Sequence, residues 1–164
     1  MGKSRKHHST KGALPRKKIG RSTLAGKSAG WIDICAFLTM GAMEQAEKIR
    51  RGMAPSTISA LSDEILKIPR HRLLSKLKLP ARLVQRRTTA GRRLNPFESD
   101  LLARVILTNA HAGDILGDGA LAAAWLLKPN VELWEKDPLS VLDTQVGYDR
   151  VGDILTRLAN GISV

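Results

Sequence analysis

The sequence predicts an all-α fold, and three observations lead to that prediction. Apolar residues make up 43% of the 164 residues but aromatic residues only 4%, so the core must consist mainly of Leu, Ile, Val and Ala. Leucine and alanine, which favour helices, outnumber Tyr, Phe and Thr, which favour strands or turns. In addition, proline, glycine and capping residues recur between apolar runs that have helical spacing.

The first elements are predicted from an apolar stripe and its stop signals. A stripe near the helical period runs through residues 31–51, and Gly52 ends it. Residues 55–60 begin a second helix. Ser62 is then the expected N-cap of a further helix that ends before Pro69. Two acidic residues follow Ser62 in the first turn of that helix, where the helix dipole favours negative charge.

The next two helices have the dimensions of a helix-turn-helix motif. Pro69 starts one helix, Lys78-Leu79-Pro80 forms a short break, and the second helix runs to Thr88, with Leu83 and Val84 as core candidates. Arginine and glutamine side chains on this helix and in the basic loop after it can read guanine and adenine edges in a major groove. An exposed basic helix that only keeps the protein in solution is the alternative. The candidate DNA-binding residues are Arg82, Gln85, Arg86, Arg87, Arg92 and Arg93.

The helices of the C-terminal half are predicted from their caps. Asn95 is the N-cap of a helix that continues to about Leu116, since Pro96 and a glutamate three residues after the cap follow it. Residues 120–127 form another helix, and Asp137 caps a short one. The last helix carries apolar residues at helical spacing and ends at Gly161.

The charge distribution divides the chain into three parts. Residues 1–30 carry nine Lys/Arg and no Asp/Glu, which predicts a disordered basic arm. Residues 31–95 carry thirteen Lys/Arg against five Asp/Glu, and residues 96–164 carry five against ten. A basic front half suits a polyanion, whereas the acidic rear half suits a different partner. With the break after the long helix, the expected domains are 31–117 for DNA and 118–164 for a protein.

Three spaced motifs in the rear half resemble the toxin-binding domain of Xre/MbcA/ParS-type antitoxins. They are A-x-x-W-L-x-x-P-N at 122–130, D-P-L-x-x-L-D-T at 137–144, and G-x-x-x-V-x-x-x-L-x-R-L-x-x-G-I at 147–162. The segment from Leu79 to Arg87 is similar to the family's Xre-like helix-turn-helix, so the resemblance covers roughly residues 50–164. One departure is Leu133-Trp134-Glu135, where the family usually has Leu-Gly-Gly.

The resemblance implies an antitoxin of a type II toxin-antitoxin system. It implies a bundle with a DNA-binding helix-turn-helix followed by a small helical toxin-binding domain. The partners would be operator DNA and a RES-type toxin that consumes NAD or uses it for ADP-ribosylation, within a homodimer or a hetero-oligomer with the toxin. The C-terminal helix and tail would cover the toxin's active site, and the complex would repress its own operon. The expected toxin-binding residues are Arg157, Asn160, Gly161, Ile162, Ser163 and Val164.

Other readings of the residues lead to different functions. A stand-alone helix-turn-helix regulator whose C-terminal domain dimerises is the main alternative, and a general basic nucleic-acid binder is another. No paired carboxylates or Ser-His spacing indicate catalysis, and no ligand spacing indicates a metal, so we expect no enzyme and no cofactor. A lone cysteine, Cys35, the lack of an apolar run of about 18 residues and the lack of a signal peptide predict a cytoplasmic protein.

Overall fold

In the computed structural model the described residues are 26–161, and they form an all-helical fold, which confirms the predicted fold class. Most of the N-terminal arm and the tail residues Ile162, Ser163 and Val164 lie outside the described residues. Within the described range, the only extended pairing is an isolated antiparallel bridge. The elements are α1 (Ala29–Thr39), α2 (Ala42–Arg51), α3 (Ser56–Ser59) with a π-helical continuation (Ala60–Leu66), α4 (Arg70–Lys76), α5 (Ala81–Thr89), α6 (Pro96–Leu116), α7 (Gly119–Leu127), a 3-10 turn (Val131–Leu133), α8 (Pro138–Val141) and α9 (Gln145–Ala159).

The long helix α6 is the central element of the fold. It begins with the predicted capping box, in which the Asn95 side chain accepts from the Glu98 N–H at 2.7 Å and the Glu98 carboxylate accepts from the Asn95 N–H at 2.8 Å. Its apolar residues are buried on several sides, and it packs against α1, α2, α7 and α9. The helix therefore joins the basic front half to the acidic rear half.

One apolar core extends through the described part of the chain. Phe37 of α1, Leu61 of the π-helical segment, Leu102 of α6, Leu139 of α8 and Ile154 of α9 all belong to it, and each is 0% exposed. Each such side chain contributes roughly 1.5–3 kcal/mol by leaving water. Charge, and not a gap in the core, is therefore what distinguishes the rear half from the front.

The single helix predicted for residues 31–51 is wrong, because the chain breaks between α1 and α2. Gly41 has an extended backbone, and its N–H donates to the Glu44 carboxylate at 2.8 Å. The Gln45 side chain donates to the Phe37 carbonyl at 3.1 Å and so satisfies an end of α1. In the sequence, the helical spacing of the apolar residues continues from α1 into α2, and so the spacing gave no sign of the break.

The N-cap predicted at Ser62 is also wrong. No proline or glycine interrupts the chain just ahead of this residue, so α3 continues directly into the π-helical segment. Ser62 is fully buried inside that segment, and its hydroxyl donates to the Ser59 carbonyl at 3.2 Å. The segment ends at Lys67, which is left-handed (φ 53°), and the Ile68 N–H donates back to the Ser62 carbonyl at 3.0 Å.

Candidate functional site

Helices α4 and α5 form the predicted pair around a tight turn. Leu77 and Leu79 are buried at either side of Lys78, which adopts the left-handed conformation (φ 55°) that lets the chain reverse. The Leu79 N–H donates to the Leu74 carbonyl at 2.9 Å and closes the end of α4. The turn is thus held by buried leucines and a backbone hydrogen bond, and it fixes the position of α5.

Helix α5 has an inner and an outer face. Val84 is 0% exposed, and Arg87 and Thr88, three and four residues later, are half-buried on the same face. The Arg70 guanidinium donates to the Thr88 hydroxyl at 3.4 Å. Leu83 was expected in the core but is 42% exposed, so that expectation is wrong. This nine-residue helix has a single inward-facing stripe, which contains Val84, and the adjacent Leu83 lies outside it.

Arg87, one of the predicted DNA-binding residues, has an acidic partner inside the fold. Its Nε lies 3.2 Å from the carboxylate of Glu98, whose side chain is only 4% exposed. The same carboxylate closes the capping box of α6 at Asn95. Arg87 therefore holds α5 on the start of α6 and neutralises a carboxylate that would otherwise be buried alone.

Arg82, Gln85 and Arg86 lie on the outer face of α5, and all three are exposed. Their spacing of three and four residues puts them side by side on that face. Gln85 donates to the Thr89 hydroxyl at 3.4 Å, whereas Arg82 and Arg86 make no side-chain hydrogen bond or ion pair with any residue between 26 and 161. These two guanidinium groups are available to a polyanion.

The basic loop after α5 divides in the same way. Arg92 is exposed. The exposed Arg93 donates from Nη1 to the Gly52 carbonyl at 3.1 Å, which ties the loop to the end of α2. Gly52 has φ 87°, and a Cβ atom there would lie 2.2 Å from the Leu94 carbonyl oxygen, so glycine is required at this contact.

Helix α9 carries the predicted toxin-binding residue Arg157. Its Nη2 lies 2.5 Å from the carboxylate of Glu132, and Nη2 of Arg150 lies 2.6 Å from the same oxygen. The hydrogen bond from Arg157 lowers the pKa of the Glu132 carboxyl, with the nearby positive charges acting in the same direction. The two arginines thus fasten the loop that contains Glu132 to α9.

The end of α9 contains the other described members of the predicted toxin-binding set. Asn160 and Gly161 are exposed, and the Asn160 amide donates to the Thr156 carbonyl at 2.8 Å. Gly161 has φ 69° and ends the helix in the predicted way. Ile162, Ser163 and Val164 follow outside the described residues, so the structure leaves their predicted role untested.

A groove of about 700 Å³ lies beside α9, and the sequence reasoning missed it. The loop between α7 and α8, helix α8 and the start of α9 contribute most of its lining. Two of its lining residues, Trp134 (86%) and Val146 (79%), are strongly exposed, and so is Val131 (77%) in the same loop as Trp134. The signal that could have found it was the Leu133-Trp134-Glu135 sequence, noted only as a departure from the family's pattern.

The side chains that could have carried catalysis have ordinary surroundings. Cys35 lines an apolar cavity of about 530 Å³, where burial raises the pKa of its thiol, opposed by the charge of Lys27. His111 is half-buried on α6. Residues 26–161 contain no group of three or more His, Cys, Asp or Glu side chains that could hold a metal ion. No helix in this range is long and apolar enough to cross a membrane.

Comparison with known proteins agrees with the motifs of the rear half. The family described as the antitoxin Xre/MbcA/ParS C-terminal toxin-binding domain matches residues 111–161. This range contains the end of α6 and all of α7, α8 and α9. It therefore includes the groove-forming loop and the Glu132 ion pairs described above.

Two similar proteins carry the name Antitoxin Xre. The protein from Yersinia enterocolitica is 33% identical over 96 residues, which cover 58% of this chain and 65% of that protein. The protein from Pseudomonas putida is 31% identical over 83 residues, which cover 51% of this chain and 52% of that protein. The chain thus spans between half and two thirds of the length of these relatives. Residues 111–161 are thus similar to the C-terminal toxin-binding domain of Xre/MbcA/ParS antitoxins, and a longer stretch of the chain is similar to two proteins named Antitoxin Xre.

Proposed function

We propose that this chain is the antitoxin of a type II toxin-antitoxin system and neutralises a RES-type toxin that consumes NAD or uses it for ADP-ribosylation. The match of residues 111–161 to a toxin-binding domain carries this proposal. The names of the two relatives support it. Residues 118–164 would act as the toxin-facing domain, and the site of action would be the cytoplasm.

The proposed mechanism is occlusion of the toxin's active site by the end of α9 and the tail. Asn160 and Gly161 are exposed, and a Cβ atom at Gly161 would have no described atom within 4 Å. The tail residues Ile162, Ser163 and Val164 provide two apolar side chains for a pocket. Arg157 would contribute chiefly by positioning, because its guanidinium pairs with Glu132.

Co-expression with the protein encoded by the adjacent reading frame tests neutralisation. We expect that protein to arrest growth alone and to be harmless with this chain. A truncation after Asn160 should restore toxicity while the thermal unfolding midpoint stays unchanged. Growth arrest that persists with the full chain present would refute the antitoxin proposal, whereas full neutralisation by the truncated chain would remove only the tail from the mechanism.

We also propose that residues 31–117 bind operator DNA and repress the operon. The exposed face of α5 supports this, since the guanidinium groups of Arg82 and Arg86 have no partner among residues 26–161 and Gln85 lies beside them. Arg92 would contact phosphates next to that face, with the basic arm, residues 1–30, adding contacts that carry no sequence information. Arg87 and Arg93 would position the helix and loop through Glu98 and the Gly52 carbonyl.

A matched pair of double variants tests the DNA surface. R82A/R86A removes two arginines from the outer face of α5, and R50A/R51A removes two exposed arginines from α2. In fluorescence anisotropy with the operon's promoter duplex, we expect R82A/R86A to lose specific binding, and R50A/R51A to retain it. Equal losses, with equal changes in the salt dependence, would instead favour the general nucleic-acid binder.

The main alternative is a stand-alone regulator whose rear half only dimerises. The continuous core from α1 to α9 is compatible with this alternative. A homodimer contact could occupy the surface of the rear half that the antitoxin proposal assigns to the toxin. The two functions differ in the assembly that forms. Sedimentation of the chain with and without the adjacent gene's product distinguishes a homodimer from a hetero-oligomer that contains the toxin.

A further inference from the structure

The loop between α7 and α8 contains an unusual backbone conformation. Trp134 and Glu135 are consecutive residues with positive φ, 55° and 60°. This left-handed region is disfavoured for residues with a Cβ atom, and only glycine enters it freely. A bulky aromatic residue at such a position is an outlier, so the surroundings must hold it there.

Backbone hydrogen bonds hold this loop in one conformation. Asn130 organises most of them: its side chain accepts from the Glu132 N–H at 2.8 Å, and its carbonyl accepts from the Leu133 N–H at 3.0 Å and from the Glu135 N–H at 3.1 Å. The Trp134 N–H donates to the Val131 carbonyl at 3.0 Å. Each of these backbone N–H groups therefore has its hydrogen-bond acceptor within the loop itself.

Side chains also fix the loop to the rest of the domain. Leu133 is 7% exposed and belongs to the core. Glu132 is paired with Arg150 and Arg157 of α9. The loop is thus anchored through the two residues that precede its strained turn, while Trp134 remains 86% exposed. The anchoring fixes the backbone from which the indole projects into solvent.

The surface around Trp134 has the composition of a binding site. Val146, which is 79% exposed, lines the 700 Å³ groove together with Trp134, and Val131, which is 77% exposed, lies three residues before Trp134 in the same loop. Charged residues of both signs, among them Lys136 and Asp143, complete the lining. A tryptophan on a fixed backbone, with apolar neighbours and a polar rim, is the usual form of an energetic hot spot in protein interfaces.

We propose that Trp134 is the anchor by which this chain binds its toxin, with Val131 and Val146 as the flanking contacts. The occupant is the toxin and not a second copy, because all the lining residues except Lys78 lie within residues 111–161, the range matched by the toxin-binding domain. The inference rests on the proposed antitoxin function. It places an anchor on the α7–α8 loop, separate from the tail that covers the active site, and makes Trp134 a determinant of which toxin is bound.

The substitution W134G tests the proposal because affinity and stability should respond in different ways. Glycine removes the indole and relieves the left-handed strain, so we expect the thermal unfolding midpoint to stay constant or to rise. Affinity for the purified product of the adjacent gene, measured by calorimetry, should fall at least 10-fold. L121A is the matched control, since Leu121 is 56% exposed on α7 but does not line the groove. It should bind like the wild type.

Each other outcome has a defined meaning. An affinity of W134G within about twofold of the wild type overturns the anchor and leaves the antitoxin function standing. A wild type that does not bind the product at all overturns both. If W134G retains toxin affinity but loses self-association in sedimentation, the occupant is a second copy and the proposal is wrong. W134N, which tolerates positive φ, must reproduce the loss of affinity, or glycine flexibility is the cause.

Discussion

The structure makes opposite predictions for two neighbouring arginines of α5. R86A removes an exposed side chain that has no partner among residues 26–161, so we expect the free energy of unfolding to change by less than about 0.5 kcal/mol. R87A removes the partner of the Glu98 carboxylate, whose side chain is 4% exposed. The carboxylate then keeps only the Asn95 N–H as a hydrogen-bond donor, and a buried polar group that loses a partner costs about 1–3 kcal/mol. For a chain of this size that cost lowers the unfolding temperature by roughly 2–4 °C per kcal/mol.

Urea unfolding followed by far-UV circular dichroism measures the difference. The midpoint of R87A should fall clearly below those of the wild type and R86A, with the slope of the transition unchanged. In an E98Q background, R87A should lower the free energy of unfolding by about 1 kcal/mol less than it does in the wild type, because residue 98 then carries no charge that would be left unpaired. Equal midpoints for R86A and R87A, or an R87A cost that E98Q does not reduce, would refute the structural role assigned to this pair.

Two further predictions concern α9 and the loop it holds. G147A should lower the unfolding temperature, since a Cβ there would lie 1.9 Å from the Val141 carbonyl oxygen and overpacking costs typically 1–3 kcal/mol. G152A, on the same helix and with nothing within 4 Å of the new Cβ, should leave the unfolding temperature unchanged or raise it. A higher unfolding temperature for G147A than for G152A in calorimetry would contradict this contact. The lowered pKa of Glu132 means that its ion pairs stabilise the fold fully above its ordinary pKa of 4.5 and are lost as pH falls through the lowered value. The stability difference between wild type and E132Q, measured by urea unfolding, should therefore be constant near neutral pH and shrink as pH falls below about 4.5. A difference that grows as the solution becomes more acidic would contradict the assignment.

The sequence predicted the features that depend on local hydrogen bonds. The capping box of Asn95 and Glu98 and the Asp137 cap of α8 each involve residues within four positions of one another, so their pattern is visible in the sequence. The break at Gly41 was missed for the converse reason. A single glycine followed by a capping glutamate is a weak signal, and an in-phase apolar stripe outweighed it.

The sequence could not predict which way the side chains of α5 face. A nine-residue helix with arginines on several sides is compatible with more than one orientation, and the orientation here depends on Glu98, in a different helix. Arg87 was accordingly grouped with Arg82 and Arg86, although it lies on the inner face. The left-handed conformation of Trp134 was equally inaccessible, because a tryptophan gives no local sign of positive φ.

The two proposed surfaces are connected through one ion pair. Lys76, at the end of α4, lies 2.5 Å from Asp137, and both side chains are largely buried. The other carboxylate oxygen of Asp137 caps α8 by accepting from the Ser140 N–H at 3.1 Å, and Ser140 lines the groove beside Trp134. Helix α4 and the groove are therefore parts of one packed body. Allosteric coupling between two bound ligands requires an element of the protein that can adopt two alternative arrangements. Since the described residues share a single core, we expect toxin to alter repression mainly by changing how many DNA-binding faces one assembly carries, and not by reshaping α5.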